Sequence, residues 1–182
     1  MKNKMQILWI PVLMAATTTW AVDVVQVGGM DMYPNKNIIA NAVNSGDHTT
    51  LVAAVKAAGL VKALEGRGPF TVFAPTDEAF ARLPAGALDN LMKPDNKAEL
   101  AKILTYHVVP GKLDYAALAG KIKAGGGKAE LKTLEGGTLT VMMNGPHNIV
   151  LKDARGNVAD ISIYDVNQSN GVIQVVDRVL MP

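Results

Sequence analysis

Phe70-Thr71-Val72-Phe73-Ala74-Pro75-Thr76-Asp77-Glu78-Ala79-Phe80 carries the two signals that decide the fold. Its first half alternates aromatic, β-branched and small residues, which is the pattern of a strand. Pro75 lacks the N–H that a ladder needs and ends that strand. Thr76 follows directly as a helix N-cap, with Asp77 and Glu78 in the first turn, where negative charge favours the helix dipole. The stretch predicts a buried strand turning at once into a short capped helix. These residues specify a fold, and no catalytic pattern lies among them.

Upstream, residues 22–36 contain Gly28-Gly29 and Pro34 with weak periodicity and read as an N-terminal linker. From Asn37 the pattern turns helical, with Ile38, Ile39, Ala42 and Val43 on one face. Asp47 is the expected cap of a second helix, in which Leu51, Val52, Val55 and Ala58 recur at helical spacing until Gly59. Downstream, Leu88, Leu91 and Met92 form a short apolar stripe. Asn96 and Glu99 stand at capping-box spacing before Leu100, Ile103 and Leu104. Tyr106-His107-Val108-Val109 then reads as a strand closed by Pro110-Gly111.

The second half has turn signals about ten residues apart, at Gly125–Gly127, Gly136-Gly137, Asn144-Gly145-Pro146 and Arg155-Gly156-Asn157. Between them lie strand candidates at 131–134, 138–143, 149–152, 158–164 and 172–180. Helices packed into the first half and strands into the second predict an α+β domain.

The N-terminus has the layout of a secretory signal peptide over residues 1–21. Lys2 and Lys4 form the charged start, an apolar run follows from Met5 to Ala16, and Thr19 and Ala21 suit a cleavage site before Val22. The run is shorter than the roughly 20 apolar residues of a membrane span and is interrupted by Pro11. Lys2 and Lys4 leave with this segment, so the 18 basic residues become 16 against 16 acidic ones. A chain with no basic surplus is not a nucleic-acid binder. There is no cysteine, which excludes disulfides and thiolate chemistry. An exported domain of this kind is held by its core alone. Aromatic residues make up only 5% of the chain, too few for an aromatic sugar-binding platform.

Three stretches together resemble the fasciclin domain family. Phe70 to Phe80 is similar to its first homology motif, and Leu104-Thr105-Tyr106-His107-Val108-Val109-Pro110-Gly111 to its central tyrosine–histidine motif. Asn170-Gly171-Val172-Ile173-Gln174-Val175-Val176-Asp177-Arg178-Val179-Leu180-Met181-Pro182 is similar to its second homology motif. The resemblance runs from about Tyr33-Pro34 to Pro182, and Met32-Tyr33-Pro34 and Asn41-Ala42-Val43 look like the secreted single-domain bacterial branch. It implies a domain over residues 37–182 built as a β-sandwich-like wedge of two β-sheets, with short helices along one edge. It also implies an extracellular or cell-surface module for adhesion and matrix binding without catalysis. Many members carry His where this chain has Gln174, so no role for that histidine transfers.

Tyr106 and His107 are the candidate partner-binding residues, offering a phenol and an imidazole. The competing reading packs them between sheet and helix with one hydrogen bond each. His48, His107 and His147 fall in different elements and predict no metal site. Asp153-Ala154-Arg155-Gly156-Asn157 lacks the alternating acids of a calcium loop and reads as a turn. Met30-x-Met32 alone is a weak soft-metal signal. Ser45, Ser162 and Ser169 lie outside any nucleophile elbow, and the glycine triplet is not followed by a phosphate-loop lysine and hydroxyl. No enzyme and no cofactor are expected. The expected function is adhesion or partner binding at a protein or cell-surface component, in the periplasm or outside the cell. The alternative is a periplasmic small-ligand carrier or envelope-stress binding protein using a cleft between helices and sheet.

Overall fold

Val25-Gln26-Val27-Gly28-Gly29-Met30-Asp31-Met32 alternates on either side of a Gly-Gly pair, and it forms a hairpin instead of the expected linker. A computed structural model describes residues 24–182, beginning just before this hairpin. The expected signal peptide, 1–21, and the cleavage before Val22 lie outside the described residues. Strands β1 (Val25–Val27) and β2 (Met30–Met32) pair antiparallel. Gly28 and Gly29 both take positive φ, 60° and 73°, as a tight two-residue hairpin turn requires. Val27 and Met32 point into the core, so burial of these side chains holds the segment on the domain.

Helices then follow: α1 (Ile38–Ala42), α2 (Thr49–Ala58) and α3 (Val61–Leu64). Asn37 caps α1, its side chain accepting from the Ala40 N–H at 2.8 Å. Strand β3 (Phe70–Pro75) and helix α4 (Asp77–Ala81) realise the decisive stretch as read, with Thr76 Oγ1 accepting from the Ala79 N–H at 3.2 Å. Helices α5 (Ala87–Leu91) and α6 (Lys97–Tyr106), strand β4 (Val108–Pro110) and helix α7 (Tyr115–Ala124) complete the first part. The second part is β5 (Lys128–Lys132), β6 (Thr138–Asn144), β7 (Asn148–Lys152), β8 (Val158–Gln168) and β9 (Gly171–Val176).

Seven strands form one ladder in the order β4-β3-β9-β8-β7-β6-β5. The long β8 belongs to both halves of the wedge, pairing with β9 at one end and β7 at the other. Its register shifts twice, between Ile161 and Ile163 and between Ile163 and Val166, and such bulges bend a sheet. The bend brings the two ends of the ladder together, where the Leu134 N–H after β5 donates to the Val108 carbonyl of β4 at 2.7 Å. The sheet is therefore nearly closed into a barrel.

β3 and β9, next to the β4 edge, are the parallel pair of the ladder and are covered on both faces. Val72, Ala74, Ile173 and Val175 join one core with the helices α1 to α6. Phe73 and Val176 face a second core, shared with Leu118 and Ile122 of α7 and the inner face of β5 to β8. Burial on both faces explains why these strands read as nearly continuous apolar runs.

Three local expectations are corrected. The strand expected from Tyr106 begins only at Val108, because the three–four spacing of Leu100, Ile103 and Leu104 continues to His107 and carries α6 through Tyr106. Asp47 does not cap α2. Asp77, held beside it by its own N–H to the Asp47 carbonyl at 2.7 Å, presents its carboxylate to the Thr49 and Thr50 N–H groups instead. Asn96 makes no capping bond, since a 3-10 turn over Pro94–Asn96 leads directly into α6 and the Asn96 side chain donates to the Asn90 carbonyl at 2.7 Å.

Candidate functional site

The last turn of α6 and the start of β4 deliver Tyr106 and His107 into the interior, 0% and 2% exposed. The candidate partner-binding pair thus lies inside the fold. The Tyr106 hydroxyl donates to the Thr138 carbonyl at 2.8 Å and accepts from the Ala154 N–H at 3.0 Å. Its ring passes over Gly137, where a Cβ would stand 2.8 Å from Cε2, so a side chain there would displace the ring.

His107 bridges two chain segments. Its Nε2 lies 2.9 Å from the Leu180 nitrogen, an N–H that can only donate, so Nε2 accepts. Nδ1 lies 2.8 Å from the Ile103 carbonyl oxygen and therefore carries the proton. Both ring nitrogens are satisfied in the neutral tautomer. Burial pushes the His107 pKa down to about 4, against the opposing influence of the Ile103 carbonyl and Asp153.

Asp153 is the buried partner that the sequence reading missed as such. The turn expected over 153–157 is present, and Asp153 organises it by accepting from the Arg155 and Asn157 N–H groups at 3.0 and 2.8 Å. It also accepts from the Met181 N–H at 3.0 Å. The Asp-x-x-Gly-Asn spacing is the readable signal, because aspartate bonds its own backbone two residues on. One compact network therefore ties α6, the β7–β8 turn and the C-terminal segment together.

Gln174 is fully buried in β9. Its amide nitrogen donates to Asp165 Oδ1 at 2.9 Å and to the Leu113 carbonyl at 3.0 Å, and its oxygen accepts from the Asp165 N–H at 3.0 Å. Asp165 holds a positive φ of 58° at the β8 bulge, so this glutamine clamps the irregularity that bends the sheet.

His48 is buried with Nδ1 2.8 Å from Ser45 Oγ, its Nε2 has no hydrogen-bond partner among the described residues, and burial lowers its pKa. His147 lies exposed in the β6–β7 turn, so the three histidines do not converge. Among the described residues no three His, Asp or Glu side chains are grouped to hold a metal ion. No helix among them is long and apolar enough to cross a membrane. Two apolar cavities beneath α1 and α2 have volumes of about 40 and 30 Å³, room for a few waters and far below a ligand site of a few hundred Å³.

Comparison with known proteins agrees with this architecture. The family model for the fasciclin domain matches residues 46–182. The chain is 47% identical over 147 residues to Protein sll1483 of Synechocystis sp., covering 80% of this chain and 73% of that protein. It is 36% identical over 161 residues to Immunogenic protein MPB70 of Mycobacterium bovis, covering 86% of this chain and 72% of that one. Among solved structures, it is similar to a FAS1 domain pair from the insect cell adhesion molecule Fasciclin I, with a TM-score of 0.74 at 18% identity. That match covers 88% of this chain and 58% of the solved chain, and it concerns the fold alone. With the family model covering residues 46–182, the chain belongs to the fasciclin domain family.

Proposed function

We propose that this chain is an exported adhesion or protein-interaction module that binds a cell-surface or extracellular-matrix partner and catalyses no reaction. The observation that carries the reading is the inward direction of its signature residues. Tyr106, His107 and Gln174 direct their polar atoms to backbone groups inside the fold and to Asp165. In this reading Tyr106 and His107 build the scaffold, and recognition belongs to the surface that the scaffold displays. Export rests on the charged start, the apolar run and the Thr19-x-Ala21 site.

A deletion test addresses the function directly. Cells producing the protein should bind immobilised envelope or matrix material more strongly than cells from which its gene is deleted, with complementation restoring the difference. Equal binding by the two strains contradicts the proposal.

A further inference from the structure

Arg82, Arg155 and Arg178 come from three separate parts of the chain and line one open cleft of about 540 Å³. Arg82 closes α4, Arg155 sits in the β7–β8 turn, and Arg178 follows β9. Leu83, Leu91, Ile103, Val179 and Met181 give the cleft an apolar floor. Past Ile103 and Arg155 it continues into a second hollow of about 400 Å³ bounded by Lys102 and Pro182. The result is a groove, longer than a compact small molecule needs.

We propose that this groove recognises an acidic peptide segment, with apolar side chains seated on the floor and carboxylates on Arg155 and Arg178. The proposal rests on the protein-interaction reading above and gives it a site. The charge distribution favours such an occupant. Arg82 is already neutralised by Asp177 at 2.8 Å, and Lys102 by Glu135 at 3.6 Å. Neither Arg155 nor Arg178 is paired with an Asp or Glu side chain among the described residues, and Glu99 is the sole Asp or Glu lining the groove there. The Arg155 Nε donates to the Pro182 oxygen at 3.2 Å, which orients the side chain and leaves its terminal nitrogens for a ligand. Guanidinium groups match carboxylates through paired hydrogen bonds.

The cationic loops are also held in place from beneath. The Arg155 N–H is bound to Asp153, the neighbouring Ala154 N–H to Tyr106, and Leu180 and Met181 to His107 and Asp153. Tyr106 and His107 are thus positioning residues for the groove. A nucleic acid fits poorly, because no aromatic side chain lines the groove for a base to stack on. A membrane surface fits poorly because the apolar residues lie in a recess instead of on an exposed face.

The test is fluorescence anisotropy of the whole protein with a labelled Glu-Leu-Glu-Leu-Glu peptide, against a Lys-Leu-Lys-Leu-Lys control. The wild type should bind the acidic peptide, and R155A/R178A should bind it at least about tenfold more weakly. Both arginines are exposed, so the urea midpoint of the variant should match the wild type. Absence of wild-type binding, or equal binding by the double variant, overturns the proposal. Displacement of the peptide by inorganic phosphate at equal concentration also overturns it, in favour of a simple anion site. Arginine-dependent binding to phosphatidylglycerol vesicles without peptide binding overturns it in favour of a membrane contact. Adhesion that persists in R155A/R178A cells removes the groove while leaving the adhesion reading intact. Peptide binding that needs the arginines, in cells whose adhesion does not depend on the protein, does the reverse.

Discussion

The Leu180 N–H donates to His107 Nε2 at 2.9 Å, which locks the C-terminal segment onto the end of α6. The bond requires a neutral ring, because a protonated Nε2 would face a second donor. Folding and the charge of this histidine are therefore coupled.

The coupling predicts a pH dependence of stability. The folded pKa is lowered from the ordinary 6.5 to about 4, so the unfolded chain binds the extra proton first as pH falls. The contribution is fully present above about pH 6.5 and declines toward pH 4, with a span of roughly 3 kcal/mol. In urea unfolding, the advantage of wild type over His107→Gln should shrink across this window. A gap that stays constant with pH contradicts the neutral-ring assignment.

Tyr106→Phe keeps the ring and removes the hydroxyl, leaving the Ala154 N–H and the Thr138 carbonyl without their partner. The expected loss is about 1–3 kcal/mol, the cost of unsatisfied buried polar groups. Unchanged stability would mean that the hydroxyl is dispensable to the network.

Phe73 is fully buried in the second core, and Phe73→Ala leaves a cavity beneath α7. The expected cost is about 3–5 kcal/mol. A melting temperature equal to wild type would contradict the position given to β3.

Asp77 caps α2 from outside that helix, accepting from the Thr50 N–H at 2.8 Å and the Thr49 hydroxyl at 2.6 Å. Partial burial would raise its pKa, but these bonds outweigh it and hold the carboxylate below the ordinary value. Asp77→Ala should cost about 1–2 kcal/mol and speed amide exchange in the first turn of α2. Unaltered exchange at Thr49 and Thr50 would exclude the cap.

Export predicts a mature chain beginning at Val22. N-terminal sequencing or intact mass of secreted protein checks this, and a retained Met1 contradicts it.

The fold was readable where short-range rules act alone. The strand from Phe70, its end at Pro75 and the Thr76 cap need only local chemistry, and they stand as expected. The five later strands are legible because turn residues bracket them, although β5 begins at Lys128 and ends at Lys132, β8 runs on to Gln168, and β9 ends at Val176 instead of Leu180. Where elements meet in space, the local rules misled. Asp47 has the right residue type to cap α2, yet Asp77, brought there by tertiary packing, does it. Tyr106 and His107 read as strand because the run into Val108-Val109 is apolar, although His107 continues the helical stripe of Leu100, Ile103 and Leu104. Helix α7 is hard to see in the sequence despite the Asp114 cap and the spacing of Tyr115, Leu118 and Ile122, since glycines within and after it obscure the period. The groove was unreadable in principle, because its three arginines are distant in sequence.

On the proposed reading the tyrosine–histidine motif builds the scaffold, and recognition belongs to the surface that it supports. Tyr106→Phe separates scaffold from contact when urea unfolding and adhesion are measured on the same protein. The expected result is a lower urea midpoint, with adhesion falling only in step with it. Loss of adhesion at an unchanged midpoint would contradict it, and would make Tyr106 itself the contact.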